Sequence, residues 1–274
     1  FTGLDYYNFI LSVEKEIASN PTNLTEKINA IRTKAFNKQN LTILFAGNTS
    51  AQDKFASSMK DFTSKLPDKT YAKAEYSLPI PSSREALAIN STVAYVVVNG
   101  SLLENNVPIS GKSDIILSLL NNLMLTPEIR LKGGAYGVAA FASDNTYLTY
   151  TYRDSNFINS LATIGATDEF LKTVAPYVTE DTLESYKLSA YAAASQSTSE
   201  INEALIVLSN KLQGNTLQDK IDKLNQIKDT SVDDILVYAK YLENINNHLN
   251  YVIAAPMSDI EKNKDMFDSI IVLP

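Results

Sequence analysis

The chain is 274 residues long, 45% apolar and 20% charged, with a net charge of −7. That length has room for about two domains and a sizeable core. The composition is that of a folded chain, and the acidity disfavours nucleic acid and anionic lipid as partners. There is no cysteine and a single histidine, His248. Disulfides, thiolate nucleophiles, cysteine zinc sites and any two-histidine metal site within this chain are therefore excluded. The lack of cysteine fits a reducing compartment, with the cytoplasm expected, or the mitochondrial matrix in a eukaryote. No apolar run reaches the roughly 18 residues of a membrane-spanning helix. The opening Phe1-Thr2-Gly3-Leu4 lacks Met and the basic flank of a signal peptide, and reads as a piece excised from a longer protein.

Tyr6, Ile10, Val13 and Ile17 fall on one helical face within residues 4–19, and Leu24, Ile28, Ile31 and Ala35 repeat the pattern within 24–37. Residues 41–46 (LTILFA) read as a short buried strand closed by Gly47-Asn48, followed by a helix bearing Phe55, Met59, Phe62 and Leu66. Residues 67–87 hold Pro67, Pro79 and Pro81 and read as an interdomain linker, since proline stops helices and removes a ladder donor. The domains expected are thus 1–66 and 88–274.

The second part opens with the β-branched strand 92–99. Residues 113–125 are apolar on most faces and predict a buried helix. Residues 136–142 and 146–152 predict a hairpin turned at Ser143-Asp144-Asn145, with Leu148, Tyr150 and Tyr152 on one face. Helices then dominate. They are marked by Phe157, Leu161 and Ile164; by the Ala-rich stretch 181–194; by a capping box of Ser197 and Glu200 leading to Gly214; by Leu217 to Ile227; and by Ile235 to Ile245. A strand over 251–255 precedes a short helix capped by Ser258 and Glu261. Residues 24–62 and 232–270 line up without gaps as helix, polar turn, apolar strand and helix, the pattern of a duplicated unit.

Several motifs carry no chemistry. Asp233-Asp234 suits a helix N-terminus, His248 a helix end, and Glu14-Lys15-Glu16 a solvated face. The glycines at 133, 134 and 137 lack the order of a phosphate loop. Yet three of the chain's nine glycines fall within five residues, in Arg130-Leu131-Lys132-Gly133-Gly134-Ala135-Tyr136-Gly137. Such backbone turns tightly or lies close to another chain. Arg130 and Tyr136 could there hold a peptide through its carbonyl groups. A purely structural helix-to-strand turn with a charged rim is the other reading.

This motif, followed by a hairpin and Tyr152-Arg153-Asp154-Ser155-Asn156, resembles the C-terminal half of the pitrilysin and insulin-degrading-enzyme superfamily, in its presequence protease and falcilysin branch. That branch has R-x-K-G-G-A-Y-G and Y-R-D-P-N, with proline where this chain has Ser155. The specific part covers residues 130–156. The resemblance implies an α+β fold: an antiparallel sheet with helices packed on one face, one complete domain plus the end of a preceding one. It implies a zinc-dependent oligopeptidase closing as a clamshell around unstructured peptides. Its zinc is held by H-x-x-E-H in an N-terminal half that this chain lacks. That N-terminal half and the peptide are the partners implied, and this chain alone is expected to be inactive. By position in the motif, Arg130 would bind the substrate backbone. Tyr136 would bind substrate and act catalytically on the oxyanion, with no metal ligand here. A non-catalytic scaffold subunit of the same superfamily, or a purely structural α+β module, are the alternatives.

Overall fold

The structure is a computed structural model and describes residues 3–72, 74–76, 83–102, 104, 107, 110–143 and 146–273. It divides into two units, Phe1–Leu78 with Thr198–Gly214, and Pro79–Ser197 with Asn215–Pro274.

The first unit is helical. It contains α1 (Gly3–Ser19), α2 (Pro21–Ala35), α3 (Thr49–Ser64) and, from later in the chain, α8 (Glu200–Gln213). Asn20 and Asn48 cap α2 and α3 by accepting from the N–H groups of Asn23 and Ala51. Residues 41–46, expected as a strand, are assigned no strand. An extended segment becomes a strand only where a neighbour takes up its backbone hydrogen bonds, and no ladder forms here. Instead Asn37, itself buried, pins the turn before it by donating to the Lys69 carbonyl at 2.6 Å. α8 starts after Ser199, which accepts from the Asn202 N–H, so the Ser197–Glu200 capping box does not form. Gly214, at φ 78°, ends α8 as expected.

The second unit is built on a sheet. Its elements are β1 (Arg84–Ile89), β2 (Ala94–Ser101), α4 (Gly111–Leu120), β3 (Gly137–Ser143), β4 (Thr146–Asp154), α5 (Phe157–Gly165), α6 (Thr167–Val174), α7 (Glu180–Ala194), α9 (Leu217–Lys228), α10 (Val232–Asn246), β5 (Asn250–Pro256), α11 (Met257–Lys262) and β6 (Ser269–Val272). Among the described residues the strands form one sheet in the order β3-β4-β2-β5-β1-β6. The pairings β3–β4, β4–β2 and β2–β5 are antiparallel, as expected. At the far end the expectation needs correction, because β1 runs parallel to both β5 and β6. The chain returns from β5 through α11 before adding β6, and such a crossover lays the two strands in one direction. β1 also begins inside the stretch read as linker. The tip expected at Ser143-Asp144-Asn145 includes Asp144 and Asn145, which lie outside the described residues.

Alternation along the strands puts helices on one face. Val96 and Val98 of β2, Tyr147, Thr149 and Thr151 of β4, and Tyr251 and Ile253 of β5 are buried. Their neighbours Tyr95, Val97, Leu148, Tyr150, Tyr152 and Val252 face the other way and are half-buried or exposed. The covered face packs on α4 and α5, and α10 lays Ile235, Tyr238, Ala239, Leu242 and Ile245 into the same core. Each large side chain so buried contributes roughly 1.5–3 kcal/mol. α11 begins at Met257 behind Pro256, which places Ser258 inside the helix, so the cap expected from Ser258 is not made. The expected repeat called for a strand between two helices in both stretches; α10 and α11 flank the strand β5, whereas the segment between α2 and α3 forms none.

Candidate functional site

Beyond α4 the helix continues over Asn121–Lys132 in wider, π-type turns, a form common at functional sites. Its exit is held by bonds that reach further back than an α-helix allows. The Gly133 N–H donates to the Glu128 carbonyl at 2.9 Å, and the Ala135 N–H to the Ile129 carbonyl at 3.1 Å. A Cβ at position 133 would lie 2.6 Å from the Ile129 carbonyl oxygen, so only glycine fits this close approach. Gly134, at φ 82°, then reverses the chain into β3. Two of the clustered glycines are thus explained by the turn itself. At the other end of the segment the Asn121 amide exchanges two hydrogen bonds with the backbone of Ala140, fixing helix to strand.

This frame presents Arg130 and Tyr136 to one side. Both line an open depression of about 540 Å³, together with Val93, Leu131, Gly134, Ala135 and Arg153. Tyr136 is 68% exposed, and its ring meets Tyr152 edge-on at 6.0 Å. Tyr152 in turn meets Tyr95 edge-on at 5.5 Å, so three tyrosines run across the uncovered face. The Tyr136 N–H donates to the Tyr152 carbonyl at 3.0 Å, which fixes the ring's base. Lys132 is occupied by Glu128 at 2.6 Å. Arg130 and Arg153 make no ion pair with the described residues. The arrangement therefore offers a phenol O–H and two guanidinium groups at one depression: donors only in the case of arginine, suited to carbonyl and carboxylate oxygens. By contrast Tyr147 lies on the covered face, where burial pushes its hydroxyl up to about 12 and keeps it protonated.

The motif's second half locks onto the first. The Ser155 hydroxyl donates to the Gly133 carbonyl at 3.0 Å. Asn156 caps α5 by accepting from the Asn159 N–H. Sequence reasoning missed Arg153 as a site residue. Strict alternation after Tyr152 would send it to the covered face. Instead β4 places two residues, Tyr152 and Arg153, between the paired positions Thr151 and Asp154, where β2 places one, Tyr95, between Val96 and Ala94, and the extra residue makes a β-bulge. Arg153 sits at φ 51°, the one positive value among the described non-glycine residues, at a cost of about 1 kcal/mol or more. The usable signal was the run of two polar residues, Arg153-Asp154, at the end of an alternating strand.

Zinc does not fit this chain. Its single histidine, His248, lines a separate pocket with Glu104 and Asn250, and among the described residues no three metal-binding side chains converge. No step through a metal is assigned to these residues.

The sheet unit, covered by helices on one face, is a pitrilysin-like peptidase C-terminal domain. The chain belongs to the family described as the PreP C-terminal domain, whose model matches residues 84–258. It is 26% identical over 270 residues to Protein HypA of Clostridium perfringens, a match covering 98% of this chain and 27% of that protein. It is 22% identical over 262 residues to Presequence protease 1, chloroplastic/mitochondrial, of Arabidopsis thaliana, covering 94% of this chain and 24% of that protein. The chain thus spans about a quarter of the length of these relatives. Among solved structures a protease from Helicobacter pylori aligns at TM-score 0.53 and 16% identity, over 78% of this chain and 54% of that one. A peptidase M16 inactive domain from Pseudomonas fluorescens aligns at 0.50 and 13%, over 80% and 52%. These two likenesses concern the fold. Among the described residues no helix is long and apolar enough to cross a membrane.

Proposed function

We propose that this chain is the substrate-binding C-terminal part of a zinc-dependent oligopeptidase that degrades unstructured peptides. The metal and the water it activates would belong to an N-terminal part bearing H-x-x-E-H. Residues 1–66 would close a third domain, and the fourth, expected from residue 88, would begin with β1 at Arg84, the two being joined by the stretch between them. The observation that carries the proposal is the depression that Arg130 and Tyr136, both exposed, line together.

The roles follow from the donors available. Arg130 would hold the peptide backbone by donating to a carbonyl. Tyr136 would donate its O–H to the oxygen of the scissile carbonyl as negative charge develops there. A donor that strengthens as charge grows lowers the barrier rather than merely binding substrate. The uncovered sheet face, with Tyr95 and Tyr152 beside the phenol, supplies apolar surface for an extended chain.

The test is Tyr136→Phe in the complete protein. The expected result is a fall in kcat of about a hundredfold or more with KM little changed. An unchanged kcat would remove the oxyanion role. An open reading frame with no H-x-x-E-H upstream, and no separately encoded partner carrying it, would remove the enzymatic reading altogether.

A further inference from the structure

Arg153 has a side-chain position that its strand would not give it. Thr151 is buried, Tyr152 and Arg153 are both exposed, and Asp154 is 1% exposed, so the pleat slips by one residue at Arg153. The bulge between Thr151 and Asp154 makes the slip, and the left-handed backbone of Arg153 carries it. Asp154 is buried and accepts from the Asn156 N–H at 2.8 Å, so the residue after the slip faces the covered side. Glycine is the residue that adopts this conformation without penalty. An arginine held there, and aimed into the depression lined by Arg130 and Tyr136, is a side chain put to use. Bulges re-aim side chains beside active sites in this manner.

A guanidinium group that makes no ion pair with the described residues, in a chain of net charge −7, is a local positive site in an acidic field. It has five N–H donors in a fork that matches a carboxylate, and no acceptor. The neighbouring cation Lys132 pairs with Glu128 and does not line the depression, whereas Arg153 and Arg130 do. Building on the reading of the chain as a peptidase part, we infer that Arg153 reads a carboxylate of the bound peptide, next to the bond cleaved at Tyr136. The carboxylate is either an acidic side chain or the peptide's own C-terminus. Arg153 is thus a specificity-determining residue, distinct from the backbone grip of Arg130.

The experiment uses the complete protein and three matched fluorogenic peptides of one sequence: one with a Glu beside the cleaved bond, one with Gln there, and one with Gln and an amidated C-terminus. The wild type should cleave one carboxylate peptide at least about tenfold better in kcat/KM than its neutral counterpart, the scale of one charge-assisted pair. Glu over Gln assigns the side chain; the free over the amidated C-terminus assigns the chain end. In Arg153→Gln the ratio should fall to near one, and Arg153→Lys should restore part of it. Arg153→Gly, whose backbone suits the bulge without strain, should lose the ratio just as Arg153→Gln does, and serves if the Gln variant fails to fold. Tyr136→Phe should slow all peptides alike and keep the ratio. A wild-type ratio near one, or a ratio unchanged in both Arg153→Gln and Arg153→Gly, overturns the inference while leaving the peptidase reading intact. No cleavage of any peptide by the wild type overturns both.

Discussion

The two units of this chain carry equally regular helices and very different interiors. The sheet unit buries Ile115, Ile116, Leu119, Leu120, Leu125 and Ile129 along one continuous helical path, all of them below 2% exposure. The first unit has amphipathic helices of the same quality, yet Ile10, Ile17, Ile28, Ile31 and Phe62 on α1 to α3 all remain exposed, and among the described residues of that unit no apolar side chain is buried. An apolar stripe is a property of local sequence. A core requires a second surface, and only the sheet provides one here.

The comparison predicts unequal responses to the same substitution. Ile115→Ala, at a fully buried position of α4, should destabilise the protein by about 2–5 kcal/mol in denaturant unfolding, since it loses transfer energy and leaves a cavity. Ile31→Ala, 66% exposed on α2, should stay within about 0.5 kcal/mol. A large loss at Ile31 would show that the first unit's stripe is covered in solution, and would break the contrast.

A smaller effect is expected at the N-terminus of α10. Asp234 accepts from the Lys112 ammonium at 2.9 Å and from the Ser231 N–H at 2.8 Å. Burial pushes this carboxyl up, and the Lys112 and Ser231 donors more than offset that, so it titrates below the usual carboxylate range. A lowered folded value means the stabilisation is complete above the unfolded value of about 3.9, and is lost as pH falls through the folded one. Asp234→Asn should therefore cost about 0.5–2 kcal/mol near pH 7, and progressively less below about pH 4. Asp61→Asn, removing the exposed Lys65–Asp61 pair of the first unit, should leave stability unchanged.

Much of the fold was legible in the sequence because its helices advertise a 3.6-residue period and its hairpin a period of two. What escaped was long-range. β1 (REALAI) buries only alanines on its covered face and owes its existence to β5 and β6, strands some 160 residues and more away along the chain. Residues 41–46 have the apolar β-branched look of a strand and no ladder to join. Local composition was misleading in both cases because pairing decides strands. The Arg130 to Tyr136 turn was legible because glycine clustering has few other causes. Arg153 was not, since the bulge that aims it is borne by an arginine where sequence reading looks for glycine.

The central claim is that the Tyr136 hydroxyl meets charge that exists only as the bond is broken. The most direct measurement compares the affinity of the complete protein for a phosphinic peptide, a stable tetrahedral anion, with its affinity for the uncleaved peptide of the same sequence. Tyr136→Phe should weaken the phosphinic peptide about a hundredfold and the ordinary peptide by less than about threefold. Equal weakening of both, or of neither, would contradict the account.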